Sequence, residues 1–349
     1  MIQTTTSKTF DLNILNKLGN YHKKLMSELE NLIDTFETDK DIYEYTNTYL
    51  KHNNLSKAFP IGISINHIIA HDSFHESNIK KLKKGDFIKI DVGIIELGNI
   101  IDSARTFVYK LKAPQCITDC KIIANSIEES ISKDIMQGKP ILIQKISALT
   151  NTLINLKGYN ALDYLGGHTI EYGKVHGKHL ILNKPLKLLP KEASMFIDSN
   201  ATIEEGEMFA IEIYIGEKKS GGNMIRSSTI NITHYQINDL IDSIDSIDST
   251  NSTNSTNSID STNSTTLSKL KPNEKEVLDK IIKNTNMLAY DYTEHLKYDS
   301  KIIEKLINTN YIIKHEALEF KSNTGEKIKY IQYEDCFIIL NNKLINLSR

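Results

Sequence analysis

Three cysteines in 349 residues, Cys116, Cys120 and Cys336, make neither an even framework nor a CxxC pair. That scarcity excludes a disulfide-stapled secreted module and points to buried thiols in a reducing compartment. Neither sign of charge is in excess: 42 Lys and Arg stand against 44 Asp and Glu, a formal charge of -2. A dedicated nucleic-acid binder carries a basic surplus that is missing here, so no direct nucleic-acid partner is expected. No stretch approaches the roughly 18 uninterrupted apolar residues of a membrane span. Met1 to Asp11 is polar, without the apolar core and small-residue cleavage site of a secretory signal. The expectation is a cytoplasmic protein with no membrane partner, long enough for a hydrophobic core to stabilise it without cross-links.

What is present is an alternation of helical and strand-like blocks, which argues for a mixed architecture. Leu25, Leu29 and Leu32 recur at helical spacing within the first 55 residues, and a second helical run covers Asp41 to Leu50. From Ala58 to Val108 the pattern turns to strand, between turn signals at Pro60-Ile61-Gly62, Lys84-Gly85-Asp86 and Leu97-Gly98-Asn99. Helix is expected around Thr118 to Ala148, strands over Leu180 to Ile232, helix over Glu274 to Leu306 and strands again over Lys327 to Ile345. Between Asn238 and Lys269 runs a low-complexity tract of IDS, TNS and STN units with no periodic apolar face. Such a tract cannot bury enough surface to offset its ordering entropy, so it is expected to be a disordered surface insertion.

Two segments echo each other when aligned on a glycine. Leu82 to Val92 runs through Gly85 to Asp91, and Ile203 to Ile213 runs through Gly206 to Glu212. Each is a charged turn entering a strand, with one carboxylate six residues beyond the glycine and aliphatic neighbours that face the other way. A duplicated half-domain explains the repetition. Pairing the strands Phe87 to Ile94 and Ile100 to Val108 as a hairpin with its midpoint between residues 96 and 97 sets Asp91 directly opposite Asp102. Two buried carboxylates that close need a cation between them, and with Glu212 they fit a two-metal site. Gly166-Gly167-His168 adds an imidazole after glycines that permit close backbone approach, and Glu334 adds a carboxylate at the head of the apolar strand Cys336 to Leu340. Oxygen-rich ligation with one imidazole suits Mn, Fe, Co or Zn. His71, His176 and His234 remain as proton carriers, whereas His22, His52, His75, His179, His295 and His315 are expected to be surface or capping residues.

In order along the chain, Ala58-Phe-Pro-Ile-Gly62, Asn66 to His71, Lys89-Ile-Asp91-Val-Gly93, Ile101-Asp102-Ser-Ala104, Gly167-His168-Thr-Ile170, Val175-His176-Gly177, Phe209-Ala-Ile-Glu212, His234-Tyr235 and Gln332-Tyr-Glu334 resemble the type 2 methionine aminopeptidases. These are pita-bread fold metallopeptidases. The resemblance implies an α+β fold of two pseudosymmetric halves of curved antiparallel sheet backed by helices, with a small helical insertion subdomain. It divides the chain into a catalytic domain of residues 1–237 and 319–349, the low-complexity insertion 238–269 and a helical subdomain 270–318. Asp91, Asp102, His168, Glu212 and Glu334 would hold two divalent ions, Asp102 and Glu334 bridging both.

The implied activity is removal of the initiator methionine from nascent polypeptides whose second residue is small, by a hydroxide bridging the two ions. Glu212 would shuttle the proton, and His71 and His176 would hydrogen-bond substrate around the scissile bond. Phe59, Val175 and His234 would line the methionine pocket. Ile213 departs from the small residue or proline that usually follows the glutamate of Glu212, and the segment Glu171 to Lys174 departs from a Gln-Tyr pair. The expected partners are nascent N-termini, with proximity to the ribosome left open, and the expected state is a monomer. Two alternatives share the fold: a catalytically inert RNA- or protein-binding relative, and an Xaa-Pro peptidase.

Overall fold

The computed structural model describes residues 9–189, 198–219, 221–238 and 270–349. The tract expected to be disordered lies outside the described residues except for Asn238. The chain divides into two compact units, one of Met1–Asn231 with Ala317–Arg349 and the other of Ile232–Glu316.

The first unit opens with α1 (Leu12–Leu32) and α2 (Asp39–His52). Asp11 caps α1 by accepting from the N–H groups of Asn13 and Ile14, and Thr38 and Asp41 close a reciprocal capping box on α2. Strands β1 (Ser56–Lys57), β2 (Gly62–Ile65), β3 (Ile68–Ala70), β4 (Phe87–Glu96) and β5 (Asn99–Val108) follow. Then come α3 (Gln115–Met136), β6 (Ile141–Leu142), α4 (Ile143–Leu156), β7 (Gly166–Ile170), β8 (Leu180–Leu182), β9 (Thr202–Ile203), β10 (Met208–Gly216) and β11 (Gly222–Arg226). In the second unit lie β12 (His234–Ile237), β13 (Tyr290–Asp291) and β14 (Ile312–His315), and the first unit is completed by β15 (Leu318–Ser322), β16 (Tyr330–Leu340) and β17 (Lys343–Asn346).

Two antiparallel sheets dominate the first unit. In one, β4 pairs with β1, β2 and β5, and in the other the order is β17-β16-β10-β7-β8. Alternation along the strands separates two faces. Phe209, Ile211, Ile213 and Ile215 of β10 and Phe337 and Ile339 of β16 pack with Cys120, Ile123 and Ile127 of α3 and Ile146 of α4 in one apolar core. The opposite face of β10 carries Ala210, Glu212 and Tyr214. On β4 the alternate residues Lys89, Asp91 and Gly93 share one face, and Ile88, Ile90 and Val92 the other. His22 of α1, expected at a surface or cap, is fully buried instead, its Nε2 2.9 Å from the Val92 carbonyl.

The echo between the two segments is a shared backbone turn. Gly85 has φ 87° and Gly206 φ 86°, a left-handed conformation that favours glycine. Asp86 accepts from Lys83 N–H at 2.7 Å as Glu207 accepts from Glu204 N–H at 2.9 Å. Gly85 N–H donates to Tyr109 O and Gly206 N–H to Ile339 O, both at 2.8 Å. Each turn therefore hands its strand to the same kind of long antiparallel partner: β4 to β5, β10 to β16.

Where β5 runs beside β16, side chains join the two sheets. Ser103 Oγ donates to Glu334 O at 2.8 Å. Thr106 Oγ1 donates to Gln332 O at 2.8 Å and accepts from Gln332 N–H at 2.9 Å. The fully buried Lys89 crosses from β4 to Tyr330 O at 3.2 Å.

The second unit has its own core. Leu278, Ile281, Ile303 and Leu306, from helices Pro272–Thr285 and Ser300–Asn308, pack with Ile237, Tyr290, Tyr311 and Ile312. Its sheet has β12 between β13 and β14, so it mixes helix with strand. His295, also expected to be at a surface, is half-buried here against the rings of Tyr235 and Tyr290.

Candidate metal centre

The hairpin register differs from the expected one. Asp91 pairs with Ala104 and Asp102 with Gly93, so the two carboxylates are diagonal rather than opposed. The reason is the turn: Leu97 and Gly98 both have positive φ, 47° and 79°, and form a two-residue loop between Glu96 and Asn99. The hairpin midpoint thus lies one residue beyond the expected place, and because it moves both strands together Asp91 and Asp102 stay on one face. Gly93, opposite Asp102, leaves room that the Phe59 ring takes, and a Cβ there would collide with it.

Around this pair the second sheet brings its own donor groups. One donor atom from each of Asp102, His168 and Glu334 lies within 4.8 Å of the others. His168 Nε2 is 3.5 Å from Asp102 Oδ2 and 3.4 Å from Glu212 Oε1. Glu212 and Glu334 are directly paired across β10 and β16. Glu334 therefore sits in the middle of β16, which begins at Tyr330, and not at a strand head as expected. Asp91 joins the group through Gln332, whose Nε2 donates to its Oδ2 at 2.9 Å. The close approach anticipated at the glycines is real: a Cβ on Gly167 would overlap the Ala210 carbonyl.

The electrostatics of this cavity are lopsided. Burial pushes Asp102 up to about 7. Burial, reinforced by the charge of Asp102, pushes Asp91 well above the usual carboxylate range. Glu334 is raised by burial and then by the charges of Asp102, Glu212 and Asp91. Glu212 is raised by burial, against the hydrogen bond from Tyr214 and with the charges of Asp91 and Asp102 adding to it. His168 is pushed by burial down to about 4, against its contacts with the Thr169 and Val175 backbones, so its ring is neutral at pH 7. Its Nδ1 lies 3.2 Å from Thr169 O. Assigning the proton to Nδ1 leaves the Nε2 lone pair for a metal.

Three buried carboxylate oxygens, Asp91 Oδ1, Asp102 Oδ1 and Glu334 Oε1, have no hydrogen-bond partner. Unpaired buried acceptors of one sign beside a neutral imidazole are unfavourable unless a cation completes them. The residues therefore fit divalent ions of hard to borderline character.

The remaining candidates divide between the two units. His176 stands edge-on to His168 with ring centroids 4.4 Å apart. Val175 is buried beside it. His71 follows β3 with φ 61°, a left-handed backbone uncommon outside glycine. His234 belongs to the second unit, where it pairs with Asp291 and His315 and its Nδ1 is 2.9 Å from Thr233 Oγ1. Sequence reasoning did not single out Tyr214 or Asn183, which hold Glu212 from behind.

The sequence profile of metallopeptidase family M24 matches residues 14–237. The chain belongs to this family. Among curated M24 relatives, a methionine aminopeptidase of Thermococcus kodakarensis is 27% identical over 198 residues, which are 57% of this chain and 62% of that protein. The match thus spans less than two thirds of the relative's length. In fold, this M24 chain is similar to the crystal structure of methionine aminopeptidase from Thermotoga maritima, with TM-score 0.58, 14% identity and coverage of 99% and 100% of the two chains. It is also similar to a thermophilic Arx1, with TM-score 0.68, 13% identity and coverage of 97% and 92%. The α+β pita-bread architecture is shared with these structures. Among the described residues no helix is long and apolar enough to cross a membrane.

Proposed function

We propose that this M24 chain is an aminopeptidase of the type 2 methionine aminopeptidase kind. Its substrates are nascent polypeptides with a small second residue, from which it removes the initiator methionine as a cytoplasmic monomer. The observation that carries the reading is the set of partnerless oxygens on Asp91, Asp102 and Glu334, the last two clustered with a neutral His168. A compact unit between Glu212 and Glu334 supports the type 2 assignment, since that is where the type 2 insertion falls.

Asp91, Asp102, His168, Glu212 and Glu334 would hold two divalent ions drawn from Co, Mn, Zn or Fe. When bound, the ions would supply a water acidic enough to act as nucleophile at neutral pH and a Lewis acid for the scissile carbonyl. Glu212 accepts the proton released on attack and returns it to the leaving amine. His71 and His176 hydrogen-bond the substrate beside the scissile bond, where charge develops. Phe59 and Val175 supply apolar walls for the methionine side chain.

The test is hydrolysis of Met-Ala-Ser and of an Xaa-Pro peptide by EDTA-stripped protein, with and without added Co or Mn. Methionine release from the first peptide alone, dependent on metal and lost in Glu334→Gln, is the expected result. Cleavage of the proline peptide alone would reassign the substrate, and inertness toward both would remove the enzymatic reading.

A further inference from the structure

Glu212 is held at both its ends. Beyond Ala210, which pairs with His168, the backbone of β10 has no further partner in β7. The side chain of the buried Asn183 stands in for that strand: its Nδ2 donates to Glu212 O at 2.6 Å and its Oδ1 accepts from Tyr214 N–H at 2.8 Å. Two residues on, the Tyr214 ring lies on the same face of β10 as Glu212, packed in a cluster with Ile69, Leu162, Phe320 and Tyr330. Its hydroxyl donates to Glu212 Oε2 at 2.7 Å. That leaves Oε1, the oxygen 3.4 Å from His168 Nε2, as the one turned to the imidazole.

We propose that Tyr214 is a positioning residue that restricts Glu212 to one coordinating oxygen and so sets the affinity of the ion held by His168 and Glu212. This rests on the metal-centre reading above. A carboxylate with both oxygens free can bind one ion through both or swing between ions, whereas a charge-assisted O–H bond on Oε2 removes those choices. The Asn183 clamp fixes the peptide from which the side chain projects, so the restriction acts on geometry.

The experiment titrates EDTA-stripped protein with Co(II), reading stoichiometry by equilibrium dialysis and coordination by visible absorption. Wild type is compared with Tyr214→Phe, which keeps the ring and loses only the hydroxyl. One binding step is expected to weaken about 10- to 100-fold in the variant with a changed absorption band, and the other to stay within about twofold. In a Glu212→Gln background the same Tyr214→Phe change is expected to have no further effect, because the restrained oxygen is gone. Two unchanged binding steps with an unaltered spectrum would overturn the proposal. So would an effect that persists undiminished beside Glu212→Gln, since that would mark a purely structural role. A wild-type protein that takes up no Co(II) would instead refute the metal centre itself, and the inference with it.

Discussion

Lowering the pH from 7 to 5 removes the stability that the first unit draws from the buried imidazole of His22. His22 is fully buried on α1, its Nε2–H donating to Val92 O at 2.9 Å while Nδ1 has no partner. Burial, with the Arg105 charge adding, pushes it down to about 4 from 6.5, against the hydrogen bond it donates to the Val92 carbonyl. The unfolded chain therefore binds more protons than the folded one between those values. Stability from this group is complete above about pH 6.5 and is lost as the pH falls toward 4. At 1.36 kcal/mol per unit, the loss amounts to about 2 kcal/mol between pH 7 and 5 and about 3 kcal/mol by pH 4. Asp102, raised to about 7, works in the opposite sense over the same window, so the wild-type curve alone does not isolate His22.

The comparison is with His22→Gln, whose amide N–H reaches the position of the ring Nε2 and carries no titratable group. Urea unfolding of both proteins at pH 7 and pH 5 should show wild type losing about 2 kcal/mol relative to the variant. A difference between the two proteins that stays constant within about 0.5 kcal/mol would refute the reasoning, because the protonation of His22 would then not be coupled to folding.

Two other perturbations have definite outcomes. Gly93→Ala places a methyl group against the Phe59 ring, and the displaced ring should lower stability by about 1–3 kcal/mol and raise KM for methionyl peptides. Unchanged thermal unfolding and KM would show that Phe59 is not fixed there. Asp335→Ala removes a fully buried carboxylate that lies 2.7 Å from Arg105 Nη2 and 2.8 Å from Arg349 Nε, leaving Arg105 without its carboxylate partner and Arg349 with that of Glu128 alone. The expected cost is about 3–5 kcal/mol by chemical denaturation, and a cost under about 1 kcal/mol would contradict the burial of this charge.

The acids and the imidazole that gather in the cavity were legible because their signals are local. Gly85 and Gly206 each announce a turn, and the carboxylate six residues on stands out by chemistry among aliphatic neighbours. The register of the first hairpin was less so. Leu97 takes the left-handed position that Asn or Gly usually fills, and nothing in a leucine advertises positive φ. Long-range partners left still less trace. His22 looks like any polar residue on an amphipathic helix until α1 is laid against Val92. Tyr214 and Asn183 gain meaning only once β7 stops short beside β10. The strand carrying Glu334 was placed too late because Gln332 and Glu334 interrupt its apolar run, although they point into the cavity rather than into water.

The seam between β5 and β16 also bears on the order of events in synthesis. Asp91, Asp102, His168 and Glu212 all precede the second unit, while Glu334 arrives on one of the last strands and is tied in by Ser103. A chain growing from its N-terminus has three of its acids and its imidazole before the cage can close. On the proposed metal reading, ion capture would therefore be a late event, completed only when β16 docks, and a chain cut short before that strand would carry the clustered acids without Glu334.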